Sequence, residues 1–199
     1  MGKQLSEHTF RIPESDVVHG LGPSYTAGKF ECHREHDGED GVMRIYLQVP
    51  HLRTEFRTPD RRPEQAVASP GHAEINGLKQ LDRMGSTVAP KLLALRQDKQ
   101  SDTGIVPRGY IDYLVWAKVP GESMDMKRFW GLQEESRTAI RLVFKALFSE
   151  LLSIDIKPFP ESPDKIIYDF ESETMHLEGL RAATQKGTSQ QWVDRFYVI

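Results

Sequence analysis

VMRIYLQV, residues 42–49, is the stretch on which the fold turns. Its Val, Ile, Tyr and Leu content marks a strand, and Pro50 closes it. Strand alternation puts Arg44, Tyr46 and Gln48 on one face, a composition polar for a core and suited to a site. Upstream, Lys29 to Arg34 is a second strand candidate, and HDGEDG (36–41) supplies turn chemistry for a hairpin between the two.

Outward from the hairpin the pattern alternates strands with helices. Residues 1–25, with Pro13, Gly20, Gly22 and Pro23, read as an extended arm or a loose first strand. His51 to Pro70 is rich in arginine and proline and reads as a surface connection rather than core. Ser69-Pro70 is expected to start a helix, the hydroxyl as N-cap, with Ile75, Leu78, Leu81 and Met84 at three-residue spacing before Gly85. Leu92 to Leu95 and Tyr110 to Val119 are two further strands, the second alternating Ile111, Tyr113 and Val115 with Asp112, Leu114 and Trp116. Between Gln133 and Ile154 an apolar stripe runs through Ile140, Phe144, Leu147, Phe148 and Leu151, the mark of a long helix. Lys165 to Tyr168 and Met175 to Leu180 read as a last hairpin, and Trp192 to Ile199 as an apolar tail that packs back or seeks a partner. This order predicts an α+β fold, helices packed on antiparallel sheet.

Composition narrows the function. The 199 residues carry 38% hydrophobic and 28% charged side chains and a net charge of -3, so no basic field collects nucleic acid or anionic lipid. No apolar run is long enough to span a bilayer, and the first residues lack a signal-peptide core. A cytoplasmic protein without a membrane partner is expected. The lone Cys32 excludes an intrachain disulfide and fits a reducing compartment. Cys32, His33, His36 and Asp37 gather metal-ligand types, but adjacent strand residues point to opposite faces and no second ligand pair is present, so no metal is expected.

EINGLKQL (74–81), PKLLALRQDKQ (90–100), GYIDYLVWAKVPGESM (109–124), FWGL (129–132) and KIIYDFESETMHLEGLRAA (165–183) together resemble a group of small kinase-like proteins of filamentous fungi, relatives of the protein kinase and aminoglycoside phosphotransferase superfamily. The resemblance runs over roughly residues 25 to 183 and is strongest at VPGE and IYD. It implies a truncated two-lobed kinase fold: an arm at 1–25, a small-lobe-like region at 26–120 with a hinge at Trp116 to Pro120, a truncated large-lobe-like region at 121–183 and a tail at 184–199.

Kinase chemistry requires a glycine-rich cover, a phosphate lysine paired with a helix glutamate, a catalytic-loop Asp and a metal-binding Asp. Gly20, Gly22 and Gly28 depart from the cover's spacing, and Gln48 stands where the lysine would be. Glu74 matches the helix glutamate, DIKPFPESPDK (155–165) has no Asp in the base position, and Glu178 takes the place of the metal-binding Asp. The expected function is therefore a degenerate kinase-like domain that binds a small organic molecule in an interlobe cleft, with acid–base rather than phosphoryl-transfer chemistry, in fungal secondary metabolism. Glu178 and Tyr46 are the candidate catalytic groups; Arg44, Gln48, Glu74, Tyr113, Trp116 and Lys118 are the candidate ligand-binding residues; no cofactor is expected. Two alternatives stand beside it: an inactive pseudokinase scaffold that recruits a protein through the tail or the arginine-rich loop, or self-associates through the tail, and a residual ATP-dependent phosphotransferase.

Overall fold

The computed structural model describes residues 2–18, 22–54, 59–157, 165–178, 180 and 184–185. The chain divides into two units. Unit 1 comprises Met1–His72 and Lys91–Lys118, and unit 2 comprises Ala73–Pro90 and Val119–Ile199.

Unit 1 is an antiparallel five-stranded sheet. Its strands are β1 (Gln4–Phe10), β2 (Tyr25–His33), β3 (Asp40–Gln48), β4 (Leu92–Lys99) and β5 (Tyr110–Ala117), in the spatial order β1-β2-β3-β5-β4. The hairpin read from the sequence is present, Tyr25 pairing with Gln48 and His33 with Asp40. On β3, Val42, Arg44, Tyr46 and Gln48 are buried while Met43, Ile45 and Leu47 are half-buried; β5 buries Tyr110, Asp112, Leu114 and Trp116 in the same rhythm. The register Arg44↔Leu114 and Tyr46↔Asp112 places these buried residues on one face. The arm forms β1 and a short helix α1 (Glu14–Val18).

The segment after β3 differs from the sequence expectation. His51, Thr54 and Gln65 are buried, because a 3-10 helix (Pro59–Gln65) turns Gln65 back onto the chain. Gln65 Oε1 accepts from His51 N at 3.1 Å, and its Nε2 donates to Thr54 Oγ1 at 3.0 Å. A buried backbone N–H needs a partner, and here side-chain amides provide it where no regular ladder exists.

Unit 2 is built on helices α2 (Ala73–Met84), α3 (Met126–Gly131) and α4 (Glu134–Ser153). α2 starts at Ala73 and not at Pro70, since the Ser69 hydroxyl donates to Asp112 Oδ2 instead of capping a helix. It stops at Gly85, whose φ of +64° lets Ser86 N reach Leu81 O at 3.0 Å. Asp125 caps α3 by accepting from Arg128 N at 2.7 Å. Beside them stand a three-stranded sheet of β6 (Glu122–Ser123), β8 (Ile166–Asp169) and β9 (Thr174–Leu177), ordered β6-β8-β9, and a two-stranded pair of β7 (Ile156–Lys157) with β10 (Thr184–Gln185). Ile75, Leu78 and Leu81 of α2 and Ile140, Leu147 and Leu151 of α4 are buried. The two helices are also tied by Gln80 Nε2 donating to Ile154 O at 2.6 Å and Ser86 Oγ donating to Glu150 Oε1 at 2.7 Å. Among the described residues no helix is long and apolar enough to cross a membrane.

Candidate functional site

The buried face of β3 and β5 concentrates chemistry within unit 1. Arg44 lies over the Trp116 ring, its guanidinium carbon 5.6 Å from the centroid, and both residues are buried. Such a stack screens the cation with an aromatic face instead of water. Tyr46 is fully buried beneath the His72 imidazole, the rings stacked 3.9 Å apart at 13°. Tyr25 meets the edge of the same imidazole at 4.7 Å, and Tyr110 lies 5.6 Å from it.

Gln48 does different work. Its Nε2 donates to Gln65 O at 2.6 Å and its Oε1 accepts from Val67 N at 3.2 Å, so the side chain pins the returning segment to the sheet. A third amide, Gln100 Nε2, donates to the Gln48 carbonyl at 2.9 Å. The fit is close enough that a Cβ on Gly109 would come within 2.6 Å of Gln48 Oε1. An amide both donates and accepts; a lysine at this position could satisfy the carbonyl but not the amide N–H.

Burial governs the titration of this cluster. Desolvation pushes the His72 imidazole down to about 4. It also raises the Tyr110 phenol well above the ordinary range, with further upward pushes from Tyr25 and Asp112. Asp112 is raised by burial too, against opposing hydrogen bonds from Ser69 and Gln97. His72 Nε2, Tyr110 Oη and Asp112 Oδ1 are buried with no protein hydrogen-bond partner.

The other candidate residues are placed as follows. Tyr113 is half-buried on the opposite face of β5. Lys118 is exposed and pairs with Glu31, Nζ to Oε1 at 3.4 Å. Glu74 is buried in the first turn of α2, and Glu178 is half-buried just past β9, its backbone N donating to Lys165 O at 2.7 Å. Arg44, Tyr46, Gln48 and Trp116 therefore share one sheet face, while Glu74 and Glu178 belong to unit 2. Of the glycines considered as a phosphate cover, Gly28 is inside β2, Gly22 precedes it, and Gly20 lies outside the described residues. Residues 158–164 of the catalytic-loop stretch and the tail 192–199 also lie outside them.

Sequence reasoning assigned no role to His72, since a lone histidine before a helix carries no pattern. Tyr110 and Asp112 read from the sequence as strand residues, not as partners of His72. In the Cys32 hairpin, burial and then Asp40 push the thiol up, and the Asp37 carboxylate is engaged by Arg34. That carboxylate also takes a 3.4 Å contact from His36.

No protein-family model and no curated protein matches the sequence. Matches among solved structures extend to 229 chains. One is the Cydia pomonella granulovirus kinase PK-1, similar at 11% identity and a TM-score of 0.51 over 92% of this chain and 53% of that one. The chain thus spans about half the length of that kinase. At this identity the likeness carries architecture alone, and with the antiparallel five-stranded sheet and its helices it makes the fold kinase-like.

Proposed function

We propose that the chain is a kinase-like domain that binds a small organic molecule and does not transfer phosphoryl groups from ATP. The observation that carries the binding half is the buried polar and aromatic face of unit 1, where Arg44, Tyr46, Trp116, Tyr110, Asp112 and His72 gather and three polar atoms lack a protein partner. Aromatic walls with a few convergent polar groups of shifted acidity are what ligand sites are made of. The negative half is supported by Gln48, which the sequence resemblance aligns with the phosphate lysine and whose amide is spent on Gln65 and Val67.

Thermal-shift titration tests both halves. A ligand at a hundred times its dissociation constant adds about 2.7 kcal/mol of stability. Mg-ATP at millimolar concentration should leave the melting temperature unchanged, whereas a fraction of metabolite extract should raise it, with the ligand identified by native mass spectrometry. A clear Mg-dependent ATP shift would overturn the reading and favour the phosphotransferase.

The scaffold alternative is favoured by a different observation. In unit 2, Trp130 is exposed with Arg137 and Arg141 stacked 5.3 and 5.9 Å from its centroid, and exposed Phe170 carries Arg128 at 5.0 Å. Exposed Trp and Arg are the residue types that anchor protein interfaces. Loss of a co-purifying protein in Trp130→Ala, with no small molecule bound by the wild type, would replace the first reading with this one.

A further inference from the structure

We propose that His72 Nε2, Tyr110 Oη and Asp112 Oδ1 form an internal site for one neutral group that both donates and accepts hydrogen bonds: a water molecule, or the hydroxyl or primary amide end of a bound molecule.

Convergence of the three groups follows from the strands and from two anchors. Tyr110 and Asp112 are two residues apart on β5 and point to the same buried face. Asp112 stands opposite Tyr46 in the ladder, and the His72 ring lies on the Tyr46 ring at 3.9 Å. Ser69, three residues before His72, donates to Asp112 Oδ2, which holds the segment carrying His72 over that part of the sheet. Ser69 and the cross-strand Gln97 amide both favour the ionised carboxyl, yet Oδ1 has no side-chain or backbone donor at hydrogen-bond geometry. Exposure is 0% for Asp112, 2% for Tyr110 and 9% for His72, so bulk water does not serve these atoms.

A single buried polar atom without a partner costs a sizeable share of a domain's net stability, and three gathered around one ring stack define a receptor for a bridging group. The donor set fixes the class. A phenol donates and accepts, a carboxyl oxygen accepts when ionised and can donate when protonated, and an imidazole nitrogen does either according to tautomer, so a group that both donates and accepts complements the set in each of its protonation states. Charge is disfavoured in both signs. The surroundings push the imidazole away from its cation and the carboxyl away from its anion, which argues for a neutral occupant. Water satisfies the set with its usual two to four hydrogen bonds; an alcohol or primary amide satisfies it with the same atoms.

The proposal rests on the small-molecule reading only in its second source, and the test separates the two. In purified full-length protein, Tyr110→Phe should lower the melting temperature by about 2–4 °C, and the combined Tyr110→Phe, His72→Phe variant should fall by less than the sum of the single shifts, because one group bridges both. An unchanged or raised melting temperature in Tyr110→Phe, or strict additivity, overturns the site, since removing an orphan hydroxyl relieves a penalty. Wild-type crystals give a second measurement that needs no variant to fold. Plain buffer should show one ordered solvent atom within hydrogen-bond distance of at least two of the three atoms, and an acetamide soak should replace it with the amide; water alone in both also supports the site. No density in either, or stabilisation by ammonium chloride and not by acetamide at equal ionic strength, overturns the neutral-group assignment. If an extract metabolite binds with the same affinity to Tyr110→Phe as to wild type, the site is not where it binds, while the small-molecule reading stands. If the variants couple as expected and no metabolite binds, that reading falls and the water site stands.

Discussion

Unit 1 buries Ser24, Arg44, Gln48, His51, Thr54, Gln65, His72, Gln100 and Asp112, whereas among the described residues of unit 2 the buried polar group is Glu74, and the buried positions of its helices α2 and α4 are otherwise chiefly apolar: Ile75, Leu78, Leu81, Ile140, Leu147 and Leu151. The sheet unit is held by directional bonds, with amides of Gln48, Gln65 and Gln100 each engaging backbone. Unit 2 is held chiefly by volume. Apolar cores accept many side chains of similar size, but a buried polar network tolerates few exchanges, since each lost partner strands another group. The two units should therefore fail in different ways when altered.

The largest effect should come from putting charge into the apolar unit. Leu78→Asp buries a carboxylate at a position only 5% exposed, with an expected cost of several kcal/mol, comparable with the whole stability of a domain, so soluble folded protein should be lost. A circular dichroism melt close to wild type would break the picture of unit 2. Next in size, Leu151→Ala should cost about 2–5 kcal/mol by urea denaturation, while Leu151→Met should cost under about 1.5 kcal/mol.

In the polar unit the expected signature is a dependence on pH. The folded pKa of His72 lies near 4 against an ordinary 6.5, so the unfolded chain takes up the proton first as pH falls. Stability from this group is complete above about pH 6.5 and declines as pH falls to about 4, by an amount on the order of 3 kcal/mol. Asp112, whose folded pKa is raised, acts with the opposite sign, favouring the folded state as it protonates. Urea denaturation from pH 7 to pH 4 should show the His72 slope in wild type and not in His72→Phe; equal slopes would place the titration elsewhere.

A smaller loss, about 1–3 kcal/mol, is expected for Gln48→Leu, which keeps the volume but strands the Val67 N–H and the Gln65 carbonyl. Were Gln48→Leu neutral, the network would be ornamental and the contrast between the units would weaken. Smallest is Lys118→Ala, which breaks a solvent-exposed pair with Glu31 and should change stability by less than about 1 kcal/mol in a thermal melt.

What could be read in advance follows the same division. The alternation of Val42 to Gln48 and the stripe from Ile140 to Leu151 are local periodicities, and both elements formed where the pattern put them. Alternation also identified Arg44, Tyr46 and Gln48 as one face. It could not say what covers that face. Ser69 looked like a helix cap because caps are recognised from neighbours in sequence, yet its hydroxyl is claimed by Asp112, 43 residues away. Gln65 in an arginine- and proline-rich stretch gave no sign of burial, because its partners His51 and Thr54 are set by tertiary return and not by spacing. His72 was illegible for the same reason: its meaning lies in the Tyr46 ring beneath it.

The strand order carries a consequence in time. β3 is an inner strand whose second neighbour is β5, and the chain between Gln48 and Ala117 must be made before that pairing can be completed. At ~5–20 residues per second, this interval of roughly 70 residues takes the ribosome on the order of 4–14 s. Through those seconds the β1-β2-β3 portion of the nascent sheet presents an open β3 backbone edge. An unpaired edge of this kind is a template for pairing with another chain. Slow translation of the 49–109 segment should therefore favour aggregation of this protein, and chaperones that hold strand edges should protect it more than those that act on finished domains.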